Sequence, residues 1–397
     1  MTSLPAFTGR RARSALAWLA AAVLAIGCGG GGGDSSVATG SAFTMGTISG
    51  FGSIIVDGVR FDDSRAQVVD DDDQPHDRGE LKLGMTVEVL SDRVQGANAL
   101  ARHVRFGAEI VGPVEAIDTT AKQLTVLGQL VEVSDTTVFD DSLAGGLAAL
   151  AVGDIVEVHA QFNNANGHYL AKRIEKEAQA NFLRLRGVVA ALDTTAKTFK
   201  IGGATISYSQ IAAGDLPPNF GNGLPVRVRL QTTAVAGVWQ AVSIRSGVRK
   251  VEDHDEARVR GVVTAFTDIT SFSVNGLPVT TSASTAFPDG SAGIVVGTAV
   301  EVEGAIRDGV LVASEVELED HHAGDDDRLN ELHGAVSALN STAQTFVVRD
   351  ITVHFSGSTS FTRGGASELA DGKAVEVKGR LASDGVTLEA KQVKFEQ

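Results

Sequence analysis

Apolar and polar residues alternate through most of this chain in short runs closed by Gly, Asp or Asn, the pattern of half-buried β-strands joined by tight turns. The runs recur in a fixed order. A Gly followed by alternating apolar residues opens a unit at Gly46, Gly112, Gly187, Gly261 and Gly334, at intervals of 66, 75, 74 and 73 residues. A strand of the form Gly-x-x-Val-Glu/Arg-Val begins at Gly84, Gly153, Gly223, Gly297 and Gly372. Ala-x-x-Val/Ile follows it at Ala101, Ala171, Ala241, Ala313 and Ala390. Self-similarity at this period means one small unit copied in series, here five times.

Within a unit the first strand leads to a polar turn such as Asp193-Thr194-Thr195-Ala196-Lys197. The second strand carries an inward Phe in the later copies, Phe199, Phe272 and Phe346. Asp57-Gly58, Gly202-Gly203 and Asn275-Gly276 then accept the positive φ of a hairpin turn. A third strand ends near Thr-x-Phe, at Thr137, Thr285 and Thr359. The crossover that follows is less regular. Ser142 to Val152 suits a short helix, whereas Asp215-Leu216-Pro217-Pro218 excludes a helix interior. The Gly-x-x-Val strand turns at Asn166-Gly167, Ala236-Gly237, Asp308-Gly309 or Asp384-Gly385 into the last strand.

Three strands, a crossover and two strands is the order of an OB-type barrel, and closure removes the edges a lone small sheet would expose. The predicted fold is all-β: five tandem antiparallel OB-like barrels of about 65–75 residues, over 45–109, 110–180, 181–251, 257–319 and 330–397. An acidic linker covers 252–256 and an acidic/His linker 320–329.

The N-terminus is an address. Arg10, Arg11 and Arg13 precede an apolar run from Ala15 to Ile26, too short for an ordinary membrane span and matched to a signal peptide, 1–27. Leu24-Ala25-Ile26-Gly27-Cys28 resembles the lipobox of bacterial lipoproteins, with Ala25 where Leu is usual. That resemblance implies lipidation of Cys28, the only cysteine, and a lasting membrane anchor through more than one acyl chain. Residues 28–44 then form a Gly/Ser tether. Gly29 after the cysteine favours the outer membrane over inner-membrane retention, by resemblance to enterobacterial sorting.

Gly46 through Phe61, and Gly153-Asp154-Ile155-Val156-Glu157-Val158, resemble tandem-repeat bacterial lipoproteins of domain-of-unknown-function family 5666. The likeness covers about residues 45–397 and implies small β-domains on a secreted, lipid-anchored chain. It carries over no catalytic or binding residue. The third copy departs from the others, with Pro225 in its signature strand and Arg227 and Arg229 where Glu is usual.

Charge and chemistry narrow the function. The net charge is −15, and loss of residues 1–27 removes three arginines and no acid, leaving −18. Such a chain repels phosphate, so nucleic acid is not an expected partner. Trp239 and Tyr169 occupy matching places and read as core or rim rather than stacking platforms. The chain has no Gly-x-Ser-x-Gly, His-Glu-x-x-His or phosphate-loop motif, so no enzyme and no cofactor is expected. Glu88, Glu157, Glu301 and Glu376 fall between inward valines and read as a solvated strand face, or else as a carboxylate row for a cation. The acidic runs 70–77, 252–256 and 319–327 read as solvated, self-repelling linkers. Within them His254, His321, His322, Asp325 and Asp327 are candidate ligands for weak divalent-cation binding. A small basic patch gathers Arg184, Arg186, Arg245, Arg249 and Lys250. The expectation is a non-enzymatic envelope protein, beads tethered in series, that binds, adheres to or scaffolds a protein or glycan. The alternative is periplasmic divalent-cation binding or buffering through the acidic/His linkers, with an enzyme of unrecognised type a distant third.

Overall fold

The structure, a computed structural model, describes residues 40–248, 250–319 and 329–396, which fall within one compact unit. Barrel 1 shows how the sequence pattern closes. Its strands are β1 (Ser41–Phe51), β2 (Ile54–Val56), β3 (Val59–Asp62), β4 (Gln67–Asp70), β5 (Pro75–His76), β6 (Thr86–Asp92) and β7 (Asn98–Phe106). β1 pairs antiparallel with β2, and β2 with β3. β3 runs parallel to β7, β7 antiparallel to β6, and β6 returns to β1. Counting the five barrel strands in chain order, the circuit is 1-2-3-5-4-1, that of a closed OB-like barrel. The hairpin β4–β5 stands on its side, with β4 parallel to β7.

The same circuit closes in the second barrel, the third, the fourth and the fifth. The motifs that defined the repeat have physical reasons. A Cβ on the unit-opening glycine would fall on Leu127 at Gly112, on Ile201 at Gly187 and on Asn275 at Gly261. The first strand can coil under the adjacent hairpin only where a side chain is missing. The Gly of Gly-x-x-Val takes φ of 87, 96, 88, 89 and 87° in the five copies, a turn that L side chains resist. Thr137, Thr285 and Thr359 are buried, and each donates its hydroxyl at 2.8 Å to the carbonyl of Ala171, Ala313 or Ala390. The Thr of one motif thus satisfies the Ala of the other, beside a bulge in the last strand that recurs in all five barrels.

Phe199, Phe272 and Phe346 are buried as expected. Ser142–Val152 forms short 3-10 turns, Asp141–Leu143 and Gly146–Ala149. Thr-x-Phe does not end the third strand: Val138–Phe139 and Ser360–Thr362 are separate short strands, parallel to the last strand of their barrels.

The barrels are not beads in series. Val111 and Ile110 of barrel 2 pair with Arg184 and Leu185 of barrel 3, and the two barrels share one contiguous core. β1 extends past its own barrel. Ala42–Met45 runs parallel to Glu256–Val259 of barrel 4, and Gly50–Phe51 parallel to Glu331–Leu332 of barrel 5. Phe43 and Met45 join the core of barrel 4, while Phe51 packs against the cores of barrels 1 and 5. Residues 254–256, read as linker, instead open the strand His254–Asp268, because Ile306 partners His254 and Ala42 of β1 partners Glu256.

Gly187→Ala forces a methyl group onto Ile201 in the shared core, and we expect a loss of about 1–3 kcal/mol. Gly334→Ala, whose Cβ would sit 3.1 Å from Val348, costs less. Urea denaturation of the two variants checks the order; equal midpoints would remove this reading of the unit-opening glycine.

Candidate functional site

The outward side chains of the first, fourth and fifth strands of each barrel form one face, and these faces meet other barrels. The Glu row is therefore not a solvated strand face. Side-chain exposure falls from 25% at Glu88 to 20% at Glu157, 15% at Glu301 and 11% at Glu376, and each faces a cationic partner. Glu301 lies 3.3 Å from Arg258 and 2.5 Å from Arg260, and Glu376 pairs with Lys394.

Barrel 3 carries arginine at five of these positions. Arg184 stands opposite Arg229, Arg186 opposite Arg227, and Arg227 opposite Arg245. Like charges across strands destabilise a sheet unless something neutralises them. The acidic run of barrel 1 does so, which corrects its reading as a linker. Asp71 pairs with Arg186 and lies 3.3 Å from Arg227. Asp72 pairs with Arg229 and lies 3.1 Å from Arg245. Asp70 lies 3.6 Å from Arg184. The hairpin is shaped for this. Asp70 Oδ1 accepts the amides of Asp72 at 2.8 Å and Gln74 at 2.9 Å, and buried Arg105 donates to the Asp70 carbonyl at 2.8 Å and reaches Asp73 at 2.7 Å. Burial alone would raise the Asp71 carboxyl, but the guanidiniums of Arg186 and Arg227 hold it below its usual range.

Barrels 1, 2, 3 and 4 line a cavity of about 800 Å³, open to solvent, where their faces converge. Its wall mixes apolar residues, among them Met45, Phe162 and Leu277, with Glu109, Asn275 and Arg245. Arg186 is the link between three barrels: it pairs with Asp71 of barrel 1 and attracts Glu109 of barrel 2. Burial pushes the Glu109 carboxyl up despite that charge and despite the Ala160 amide donated to it at 2.7 Å. Behind it His159 is fully buried. Burial would lower its imidazole, but the carboxylates of Glu157, Glu109 and Glu175 hold it above its usual value. Tyr169 is buried core with its hydroxyl on the Arg186 carbonyl, and Trp239 packs on the shared core of barrels 2 and 3.

Two further contacts tie barrel 1 to barrels 4 and 5. The Asp57 side chain is fully buried, 2.5 Å from Arg260 Nε and 3.6 Å from Arg258 Nε. Burial, then the neighbouring Glu301, push its carboxyl up to about 7. At barrel 5, ligand atoms of Glu331, His333 and Glu376 lie within 4.8 Å of one another, the spacing of a divalent-metal site. Cations already fill that space. Arg60 Nη2 lies 2.6 Å from Glu331 and 2.5 Å from His333 Nε2, and Lys378 lies 3.1 Å from Glu331. His333 Nδ1 is 2.6 Å from Glu396. The donor set fits an ion-pair cluster, not a bound metal ion.

Of the candidate cation ligands, His254 is buried, stacks on Phe43 and lies 3.1 Å from Ser41 Oγ. Burial lowers its pKa, and the strand His254–Asp268 removes it from any linker. His321, His322, Asp325 and Asp327 lie outside the described residues, as do Cys28 and Arg249. Sequence reasoning missed Asp57, Arg105, Glu109, His159 and His333. The signal for His333 was present, since Glu331-Leu332-His333-Gly334 stands where barrels 3 and 4 carry Arg-x-Arg-Gly.

The model of the domain of unknown function DUF5666 matches residues 111–175, 260–317 and 333–394, which lie in barrels 2, 4 and 5. Gly46–Phe61, on which the resemblance first rested, lies outside these segments. No curated protein matches the chain. The solved structure of Drosophila Unr CSD456 aligns over 53% of this chain and 96% of its own length, at 13% identity and a TM-score of 0.13. The barrel assignment stands on the strand pairings alone.

Arg186→Met leaves Asp71 without its closest partner and Glu109 beside an apolar chain. We expect a loss of about 1–2 kcal/mol in unfolding free energy, below the cost of breaking a fully buried pair because Arg186 keeps 31% side-chain exposure and Asp71 19%. Asp57 gives a pH signature. Its folded pKa is raised, so its contribution is full below the ordinary carboxylate value of 3.8 and is lost as pH rises toward about 7. Asp57→Asn, which also suits the φ of 52°, should therefore raise the thermal midpoint more at about pH 8 than at about pH 5. Equal shifts at both values would mean that Asp57 is ionised throughout.

Proposed function

We propose that this chain, a tandem-repeat DUF5666 protein, is a non-enzymatic binding protein of the bacterial cell envelope, anchored at the outer membrane through lipid on Cys28, whose ligand occupies the cavity where barrels 1, 2, 3 and 4 meet. The cavity is the observation that carries this reading. At about 800 Å³ it falls in the size range of small-molecule sites, and it lies at a junction of domains, where such sites concentrate. Its chemistry favours a glycan. Asn164, Asn275 and Glu109 are planar polar groups able to hydrogen-bond hydroxyls, and Phe162 supplies an apolar surface for the face of a sugar ring. Residues 41–44, read as tether, belong to β1, so the tether is the segment before Ser41.

A panel of soluble mono- to trisaccharides, titrated against the mature chain by calorimetry, tests the proposal. Binding in the range of about 1 mM or tighter is expected. Exposed Ala265 lines the cavity, and Ala265→Trp should fill the site and abolish the heat without lowering the thermal midpoint. A panel with no binder, or a Trp variant that binds as well as the parent, would overturn it.

A further inference from the structure

We propose that the arginine face of barrel 3 is a binding site for a short multivalent anion, a chain of two or more linked phosphates, which the Asp70–Asp72 hairpin occupies as an internal stand-in. The face borders the cavity, since Asp71, Arg186, Arg227 and Arg245 line both, and the proposal goes beyond the cavity reading in concerning what replaces the hairpin.

Five arginines meet three aspartates of the hairpin here, and Glu109 and Glu157 of barrel 2 also attract Arg186 and Arg184. Solvent still reaches the face. Side-chain exposure is 34% at Arg184, 31% at Arg186 and Arg229 and 55% at Arg245, against 22% at Arg227. Arg229 has a buried Nε with no hydrogen-bond partner, and its guanidinium lies 5.7 Å from the ring centre of exposed Phe182. Guanidinium forks match phosphate oxygens better than they match a single carboxylate oxygen.

The spacing defines the ligand. Cross-strand neighbours stand about 5 Å apart and alternate residues of one strand about 7 Å apart, so the face recognises anionic groups closely linked in one molecule. A single phosphate meets a competitor tethered in the same chain, present at an effective concentration in the millimolar range. Several linked phosphates replace all three carboxylates together. A long polyanion is disfavoured, because beyond the face it meets a chain of net charge −15. Charge farther away than about 8 Å is screened at physiological salt, so a short anion responds to the face alone.

Inorganic tripolyphosphate is the probe, with monophosphate at matched ionic strength as its control. On the unmodified mature chain, tripolyphosphate should speed amide hydrogen exchange at Asp70, Asp72 and Gln74, whose amides are held within the hairpin. Monophosphate should leave them unchanged. In calorimetry Asp72→Asn should tighten tripolyphosphate binding by about tenfold by weakening the stand-in, and Arg229→Gln with Arg245→Gln should weaken it by at least as much. Unchanged exchange in the hairpin, or an affinity indifferent to Asp72 and to both arginines, would overturn the proposal. The exchange measurement needs no substitution, so a variant that fails to fold leaves the test intact.

Discussion

The arrangement of this molecule depends on burying charged strand faces against charges of the opposite sign. Each barrel closes its own sheet; the outward Glu row pairs with cations of its own barrels, whereas the outward arginines of barrel 3 must be satisfied from elsewhere. A buried ion pair adds little net stability, because desolvation offsets attraction, whereas a buried charge without a partner costs about 3–5 kcal/mol. Complementary faces are therefore selective rather than strongly adhesive. Five arginines on barrel 3 accept only an acidic partner, and barrel 1 supplies one in Asp70, Asp71 and Asp72. Arg186 then fixes the neighbour on its other side, since Glu109 of barrel 2 shares its charge.

A second constraint comes from the backbone. β1 is 11 residues long and pairs in turn with β6, β2, His254–Asp268 and Asn330–Ala335. One strand thus belongs to the sheets of three barrels. The edge that would invite aggregation is consumed within the chain. Apolar packing follows the same route, with Phe43 in the core of barrel 4 and Phe51 against that of barrel 5. Barrels far apart in sequence become neighbours because one strand reaches both.

What was legible in the sequence was local. Alternation, Asp57-Gly58 and Asn275-Gly276 turns, and inward Phe199 and Phe346 act over a few residues, so the barrel could be read from its strand order. The turns at Leu127-Gly128 and Arg349-Asp350 were missed, because those pairs lack the usual residues although both members take positive φ. The acidic run was misread for a different reason. A carboxylate facing solvent and one facing another barrel look the same in sequence, and the partner of Asp71 lies 115 positions away. His254 failed likewise, since nothing near it announces that Phe43 will cover it. The replacement of Glu by Arg227 in one copy of five, with Arg229 two residues on, was the visible trace of the interface, because opposed arginines make sense only against an acid.

Convex barrels that meet through such faces cannot fill the space between four of them, and the void at the junction follows from the geometry. A void lined by Glu109, Arg245 and Asn275 does not stay dry, since polar groups out of reach of water are strongly destabilising. Water that enters it bonds to those side chains. A ligand entering it must displace that water and reproduce its hydrogen bonds, or lose affinity for each one left unmade. Shape alone therefore does not select the ligand. Selection falls to the same charged side chains that hold the barrels together, so a substitution that retunes the site also bears on the assembly around it.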